Sequence, residues 1–441
     1  MSRLVLTASQ LNQLRSKLLD GPHEACAILV GHAVTVDEKL ARLVVREIIW
    51  PAEQDYLLRS DVAAQLKPEF IATLAQRVCR TGESLVFVHT HPFPLNRFSA
   101  IDDAGERVLS SFLDGRRPGV THAAMLLTPE VAIARILGGR DALNVMGVGA
   151  TLEWGAPADL DLSDAIFDRQ IRAFGAAGQA RLSQMRVAIV GLGGTGSIVL
   201  EQLSHLGVGQ LLLMDPDVVE STNLNRLVGA SSGDVHRLKV DVAADLARRI
   251  NPLVQIETTC ESVLLATSAR RLTNADLVFA CTDSQGSRAV LNQLAYHFLV
   301  PVIDMGTAIH TAKERVVHIA GKVQMLAPGL GCKVCGNLLD PEAVRVDLLS
   351  DFERRNDQYI VGAHEPAPAV ISLNATMSSQ AVTMFLAAAV GIPSAPRMLN
   401  YDAMTGVTRP AAVPSHPTCY VCSPTGGLAR ADEWPLNARK S

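Results

Sequence analysis

Apolar and polar positions divide the 441-residue chain into two regimes. Over the first 150 residues, short apolar runs (ACAILVG, LARLVVREII, SLVFVH, HAAMLLT) read as strands. One stretch there, DVAAQLKPEFIATLAQRVCR, has the period of a helix. The polar, Gly/Pro-containing EWGAPADLDLSD at 153–164 predicts a linker. An amphipathic stretch, AIFDRQIRAFGAAGQARLSQM, follows and leads into the strand–loop–helix pattern RVAIVGLGGTGSIVLEQLSHLGVGQLLLMD. From there to about residue 423 strands and helices alternate, the signature of a mostly parallel sheet covered on both faces. The final TGGLARADEWPLNARKS has no period and predicts a frayed tail. The expected organisation is a first domain over 1–152, a second over 165–423 and a tail over 424–441.

Composition narrows the function classes. A chain of this length exceeds one ordinary core. Hydrophobic residues make up 48% and the formal net charge is −4, so there is no polyelectrolyte arm that would point to nucleic acid or a membrane surface. The N-terminus lacks a long apolar core, and the longest apolar run, AVTMFLAAAVGI, is too short to cross a bilayer, so a cytoplasmic protein is expected. In that compartment eight cysteines do not predict disulfides. Four of them form two CxxC pairs, Cys332/Cys335 and Cys419/Cys422, which reads as metal binding.

Two constellations carry chemistry. In HTHPFPLNRFSAIDD, His89 and His91 are two apart, so on an extended strand they project to one side. With Asp102 they offer two nitrogens and one oxygen to a metal, leaving a fourth position for an acidified water. Glu24, entering a strand of its own in GPHEACAILVG, is the candidate proton acceptor. The plain alternative is a His-Thr-His at a strand end beside a Pro-rich turn, with solvated carboxylates. In the second constellation, GLGGTG at 191–196 follows a strand and opens a helix, where backbone N–H groups can meet a phosphate. Asp215 ends the next strand, in position for ribose hydroxyls. The loop alone suits a nicotinamide or flavin enzyme. Asn223, Arg226, Lys239 and Asp283 argue instead for a triphosphate with Mg²⁺, since two cations would neutralise phosphates and a carboxylate would take the metal.

The first constellation, His89-x-His91, seven residues, then Ser99-x-x-Asp102 with an upstream Glu24, resembles the JAMM motif of the JAB/MPN metalloproteases over roughly the first 150 residues. The resemblance implies a JAB/MPN α/β domain and a peptidase or isopeptidase acting after the C-terminal glycine of a ubiquitin-like protein. His89, His91 and Asp102 would hold catalytic Zn²⁺, Glu24 would be the base, and Ser99 would donate to the oxyanion.

Residues 165–423 resemble the ThiF/MoeB/E1 activating enzymes through DRQIRAFG, GLGGTG, MDPD, NLNR, CTDS and NYDAMTG. That implies a Rossmann-like α/β adenylation domain. Gly191, Gly193, Gly194 and Gly196 would line ATP and Asp215 its ribose. Asn223, Arg226 and Lys239 would meet the phosphates and Asp283 the Mg²⁺. The four cysteines would hold a structural Zn²⁺ away from the chemistry, and Arg169 would reach the active site of a homodimer partner. A helical arginine ahead of a sheet is otherwise a solvated residue.

Together these imply a bifunctional enzyme of a bacterial ubiquitin-like pathway, with a β-grasp protein ending in glycine as substrate and an E2-like protein as a second candidate partner. Two alternatives are activation and processing of a sulfur carrier, and a non-enzymatic first half that only binds. The 336–418 interval contains no cysteine, so no internal thioester relay is expected there; an oxyester on Thr376 or Ser378 would be a local substitute.

Overall fold

The computed structural model describes residues 2–93, 95–158, 165–313, 315–356 and 368–439. Residues 159–164 of the expected linker and 357–367 of the cysteine-free interval fall outside them. The chain forms two compact units. The first gathers 1–157 with 297–299 and 427–435, and the second holds the remainder.

The first unit runs β1 (Arg3–Thr7), α1 (Ala8–Leu18), β2 (Cys26–Val36), β3 (Lys39–Ile49), β4 (Tyr56–Arg59), β5 (Ala64–Leu66), α2 (Pro68–Thr81), β6 (Ser84–Thr90), α3 (Ala100–Asp114), β7 (Ala123–Leu127), β8 (Ala132–Ile136), β9 (Ala142–Val148) and β10 (Leu152–Trp154). Its main sheet has the order β1-β3-β2-β6-β7-β8-β9-β10, and a parallel β1–β9 pairing joins its ends. The two faces of β2 and β6 feed different cores. Leu29, Val86 and Val88 pack into one, and Ile28, Val30, Leu85 and Phe87 into the other. Burial on both faces explains why these strands read as unbroken apolar runs rather than alternating ones. His89 continues the Leu85/Phe87 face.

The expected helix from Asp61 is shorter. Ala64–Leu66 pairs with β4, and the helix begins only at Pro68, whose fixed φ and missing N–H suit a first helical position. The expected linker also begins too early, since Leu152–Trp154 pairs with β9 and the Gly155 amide donates to the Val145 carbonyl.

The second unit opens with α4 (Asp168–Gln184), broken at Phe174/Gly175, where Gly175 has φ 79°. Then come β11 (Arg186–Val190), α5 (Gly194–His205), β12 (Gln210–Met214), α6 (Lys239–Ile250), β13 (Gln255–Thr259), α7 (Ala266–Arg271), β14 (Leu277–Ala280), α8 (Gln285–His297), β15 (Val302–Ala312), β16 (Arg315–Leu326), α9 (Pro341–Leu348), α10 (Asp351–Asn356), α11 (Ile371–Ala389), β17 (Met398–Asp402) and β18 (Val407–Pro410). The sheet order is β13-β12-β11-β14-β15-β16-β17-β18. The first five are parallel and the rest antiparallel, so the sheet is more mixed than the alternation predicts. Strand order reverses beside β11, the place where open α/β sheets leave a ligand crevice at the carboxyl ends of their strands.

The C-terminal residues are not frayed where described. Ala429 and Ala431 are buried, and Leu265 bridges to Arg439. No described helix is long and apolar enough to cross a membrane.

Candidate functional site

The first site forms where β2 and β6 end side by side, with Cys26 opposite His89. Glu24 precedes β2 and is fixed through its backbone: its amide donates to the Ser60 carbonyl at 2.7 Å, and Arg59 Nε donates to its carbonyl at 3.2 Å. Asp102 arrives on the first turn of α3. Ser99 caps that helix in a reciprocal arrangement, its amide donating to Asp102 Oδ2 at 2.6 Å while its Oγ accepts the Asp102 amide at 3.2 Å. Because Ser99 Oγ accepts here, its O–H remains able to donate elsewhere.

One ligand atom each from His89, His91 and Asp102 falls within 4.8 Å of the others. Asp102 Oδ1 lies 3.3 Å from His89 Nε2 and Asp102 Oδ2 lies 3.6 Å from His91 Nε2, while Glu24 Oε1 stands 3.9 Å from His91 Nε2. His91 Nδ1 lies 3.0 Å from the Leu95 carbonyl oxygen, an acceptor that takes the Nδ1 proton and leaves Nε2 as the nitrogen turned towards the candidate metal position. Despite its neighbour, His89 Nε2 is buried without a hydrogen bond. An orphaned imidazole nitrogen facing a carboxylate and a second imidazole fits a metal better than a set of mutual hydrogen bonds.

Burial pushes the Glu24 carboxyl above its ordinary value, as suits a proton acceptor. Burial also opposes ionisation of Asp102, but the facing His89 and the Ser99 cap outweigh it and hold Asp102 well below the usual carboxylate range.

Behind the triad stands Arg135 on β8, which the sequence reading missed. Its guanidinium donates to Asp103 Oδ1 at 2.6 Å and to the buried Glu106 at 2.8–3.2 Å, clamping the start of α3. It also lies 3.9 Å over the Phe98 ring, which packs on His89.

The second site is the loop between β11 and α5. Gly191 has φ 88°, and a Cβ there would come within 2.7 Å of the Cys281 carbonyl oxygen, so only glycine fits. A Cβ on Gly196 would collide with the Gly191 carbonyl oxygen, and one on Gly194 with Asn374 Nδ2, whereas Gly193 faces open space. The loop thus packs tightly beneath and opens the α5 N-terminus above, as a phosphate site requires. Asp215 is buried, and its oxygens accept the Leu192 amide at 2.6 Å and the Asp217 amide at 2.8 Å. It braces the loop, leaving its remaining lone pairs for a ribose.

The aliphatic stem of Arg226 lies beside Gly194, and its Nη1 donates to the Thr222 carbonyl at 2.8 Å. Asn223 accepts the Glu220 amide through Oδ1 at 3.2 Å. Lys239 begins α6 and pairs with Asp217 at 2.7 Å. Asp283 is exposed on the loop after β14, two residues beyond Cys281. Arg169 is not brought to this loop. Gln170 beside it donates to the His205 carbonyl at the far end of α5, a helix length of about 18 Å from the glycines.

The two CxxC pairs converge. Sγ–Sγ separations are 3.7 Å for Cys332–Cys335, 3.6 Å for Cys332–Cys419 and 3.5 Å for Cys335–Cys422. These are far beyond a disulfide bond of about 2.05 Å. They approach the edge of about 3.8 Å expected for four sulfurs at about 2.3 Å from zinc, so the cluster fits that metal. It is not remote from everything else, however. Lys333, inside the first pair, forms a buried ion pair with Asp304 at 2.7 Å, and Arg288 Nε stands 3.3 Å from the same carboxylate. Neither Arg288 nor Asp304 is singled out by the sequence, because β14, α8, β15 and the knuckle meet only in the fold. Ser378 is fully buried with its hydroxyl donating to the Thr195 carbonyl, so it does not suit the expected oxyester.

Residues 167–421, more than half the chain, match the ThiF family, and residues 7–131 match the prokaryotic homologs of the JAB domain. The molybdopterin-synthase adenylyltransferase of Escherichia coli (strain K12) is 32% identical over 258 residues, covering 58% of this chain and 95% of that protein. The SAMP-activating enzyme E1 of Haloferax volcanii is 28% identical over 252 residues, covering 57% and 85%. The crystal structure of E. coli MccB with MccA-N7isoASN has 20% identity and a TM-score of 0.48, covering 59% of this chain and 76% of that one. The glycine loop at the switch of strand order and the two family matches give one conclusion: the chain belongs to the ThiF family, with a JAB domain fused ahead of the ThiF domain.

Proposed function

We propose that the second unit adenylates the C-terminal glycine of a small β-grasp protein with ATP and Mg²⁺, and that the first unit hydrolyses the peptide or isopeptide bond after such a glycine. The observation that carries the reading is the pairing of two sites in one chain: the open α5 N-terminus with Arg226 beside Gly194, and the triad of His89, His91 and Asp102 with Glu24 beside it. Both chemistries address the same feature, a flexible protein tail ending in glycine.

In the second unit, the amides around Gly193 and Gly194 bind phosphate oxygens, and Arg226 and Lys239 neutralise charge as pyrophosphate leaves. Lys239 must exchange Asp217 for phosphate to do so. Asp283, exposed at the β14 end, would hold Mg²⁺. The carboxylate oxygen of the terminal glycine attacks the α-phosphorus, forming an acyl-adenylate. Arg169, far from its own glycine loop, acts in a homodimer partner.

In the first unit, His89, His91 and Asp102 would hold Zn²⁺, which when bound would supply an acidified water and polarise the scissile carbonyl. Glu24 accepts the proton at its carboxylate and returns it to the leaving amine. Ser99 donates its O–H to the developing oxyanion.

Cys281 is an unsuitable relay, since burial pushes its thiol far up. On this reading the acyl group passes from the adenylate directly to a partner's nucleophile, such as an E2-like protein. The likeness to the molybdopterin-synthase adenylyltransferase favours a second reading, in which the activated partner is a sulfur carrier. The test is to incubate the full chain with a candidate β-grasp protein and its C-terminally extended form, with and without ATP. Mass spectrometry should find an acyl-adenylate only with ATP, and ATP-independent cleavage after the glycine. Neither product with any such protein would overturn the proposal; transfer to sulfide rather than to an amine would select the second reading.

A further inference from the structure

Asn374 lies in the first turn of α11 and is only 4% exposed. Its Oδ1 accepts the Thr307 hydroxyl at 3.3 Å, but its Nδ2 donates to no described residue. A side-chain amide buried for structure alone would find acceptors for its two N–H donors, because a buried donor without an acceptor is destabilising. The adenylation chemistry above makes no use of this residue.

Contacts from two directions place it. Thr307 and Gly321 pair across β15 and β16, on the face that α11 covers. A side chain at Gly321 would clash with Met377, so glycine there lets α11 lie against the sheet. Along α5, Ser378 donates to the Thr195 carbonyl at 3.1 Å, and Ser379 accepts Gln202 Nε2 at 2.9 Å. Asn374 and Ser378 are four apart and share one face of α11, so the contact that seats Ser378 on α5 carries Asn374 to the start of that helix. There a Cβ on Gly194 would collide with Asn374 Nδ2, and the Arg226 stem lies against the same point.

α5 begins at Gly193 without a side-chain cap, so its first amides are left for a ligand. Those donors and Arg226 favour an anion. A hydroxyl can serve either end of an amide, and an anion facing the other end selects the orientation with Oδ1 on Thr307 and Nδ2 outward. Asp215 accepts the Leu192 amide at 2.6 Å, two residues before Gly194. A ribose held by Asp215 therefore brings the α-phosphate, the first group beyond it, to this loop.

We propose that Asn374 Nδ2 donates to a non-bridging oxygen of the α-phosphate, with Thr307 as the positioning residue that aims it. The proposal rests on the adenylation reading and adds a residue to its phosphate site. As the glycine carboxylate oxygen bonds to the α-phosphorus, the bond to the pyrophosphate oxygen breaks, and pyrophosphate leaves with that electron pair. Charge on the non-bridging oxygens rises between these events, and a donor already fixed there stabilises it. The amide is neutral, so it adds no charge that would hold back the pyrophosphate, and it stays on the phosphate of the acyl-adenylate.

The test is calorimetry on the full-length protein with adenosine, AMP and Mg-ATP, weak ligands being read by displacement. Asn374→Leu should weaken AMP and Mg-ATP by roughly 10–10²-fold each and leave adenosine unchanged. Asn374→Asp, of the same shape but with a carboxylate facing the phosphate, should lose more. Thr307→Val should weaken AMP at constant adenosine affinity, and it serves alone if Asn374→Leu does not fold. Combined with Asn374→Leu it should add nothing further, because it acts through the same amide. AMP affinity unchanged in these variants, equal losses for adenosine and AMP, a loss confined to Mg-ATP, or additive losses in the double variant would overturn the assignment. Wild-type protein that binds neither AMP nor Mg-ATP overturns the adenylation reading and this proposal with it. Nucleotide binding indifferent to Asn374 and Thr307 sinks this proposal alone.

Discussion

His91 Nδ1 lies 3.0 Å from the Leu95 carbonyl oxygen, and that one contact turns His91 Nε2 towards both Asp102 and Glu24. A loop carbonyl thus sets which nitrogen is available, and Glu24 stands beside the three candidate ligands rather than among them. Glu24→Gln should keep its metal and lose cleavage of a glycine-terminated fusion by roughly 10²–10⁴-fold. Zinc analysis beside a cleavage assay checks this; wild-type cleavage would mean that Glu24 is not the base.

Zinc content should be two per chain, one in each unit. Asp102→Ala should bring it to one without affecting ATP use. Cys335→Ser should also cost one zinc, but should lower the thermal stability of the second unit, because metal affinity at a four-thiolate site contributes to folding. A wild-type content of one would show which site stays empty once each variant is measured.

The second unit should take Mg-ATP and not NAD. Arg226→Ala should weaken ATP use by about 1.5–3 kcal/mol, the range for a charge-assisted contact to phosphate. Calorimetry showing tight NAD⁺ binding and none for ATP would reverse the assignment.

Arg169 should act across a dimer, since its own glycine loop is at the other end of α5. Arg169→Ala and Asp283→Ala should each be inactive in adenylation. Mixed after dissociation and reassociation, they should recover roughly a quarter of wild-type activity, because a two-fold dimer of the two variants rebuilds one intact site. No recovery, together with a monomer mass in light scattering, would refute the trans arrangement.

His122 gives the first unit a pH dependence of its own. It is buried, and its Nδ1 accepts the Leu85 amide at 3.0 Å, which only a neutral ring can do. Burial pushes it down to about 4. The unfolded chain therefore binds a proton that the folded one refuses between about pH 6.5 and 4, and stability falls as pH falls through that window. Between pH 7 and 5 the loss should be about 2 kcal/mol. His122→Gln, whose carbonyl can accept the same amide, should unfold with a visibly flatter pH dependence; an unchanged slope would remove His122 from the account.

The parts that the sequence revealed are those written in consecutive residues. His89 and His91 share a side because they follow one strand, and Ser99 and Asp102 meet because a helix cap spans three residues. The glycine loop is equally local. The helix start at Pro68 was also written there, but the helical period of Asp61–Lys67 masks it until β4 claims Ala64–Leu66. Arg135, Asn374 and the Arg288–Asp304–Lys333 cluster are hidden for a different reason. Each draws on strands or helices brought together by sheet register, which no spacing in one segment encodes.

The parallel pairing of β1 with β9 has a consequence for how the protein is made. Residues 3–7 are synthesised well before their partners, residues 144–148. Closing a loop of that length carries only a slowly growing entropic cost, but it delays the contact, and folding slows as native pairs become more distant in sequence. Until β9 emerges, β1 has β3 on one side and a bare hydrogen-bonding edge on the other. The first half is thus exposed to mispairing throughout its own synthesis, and sealing that edge coincides with the approach of the second half.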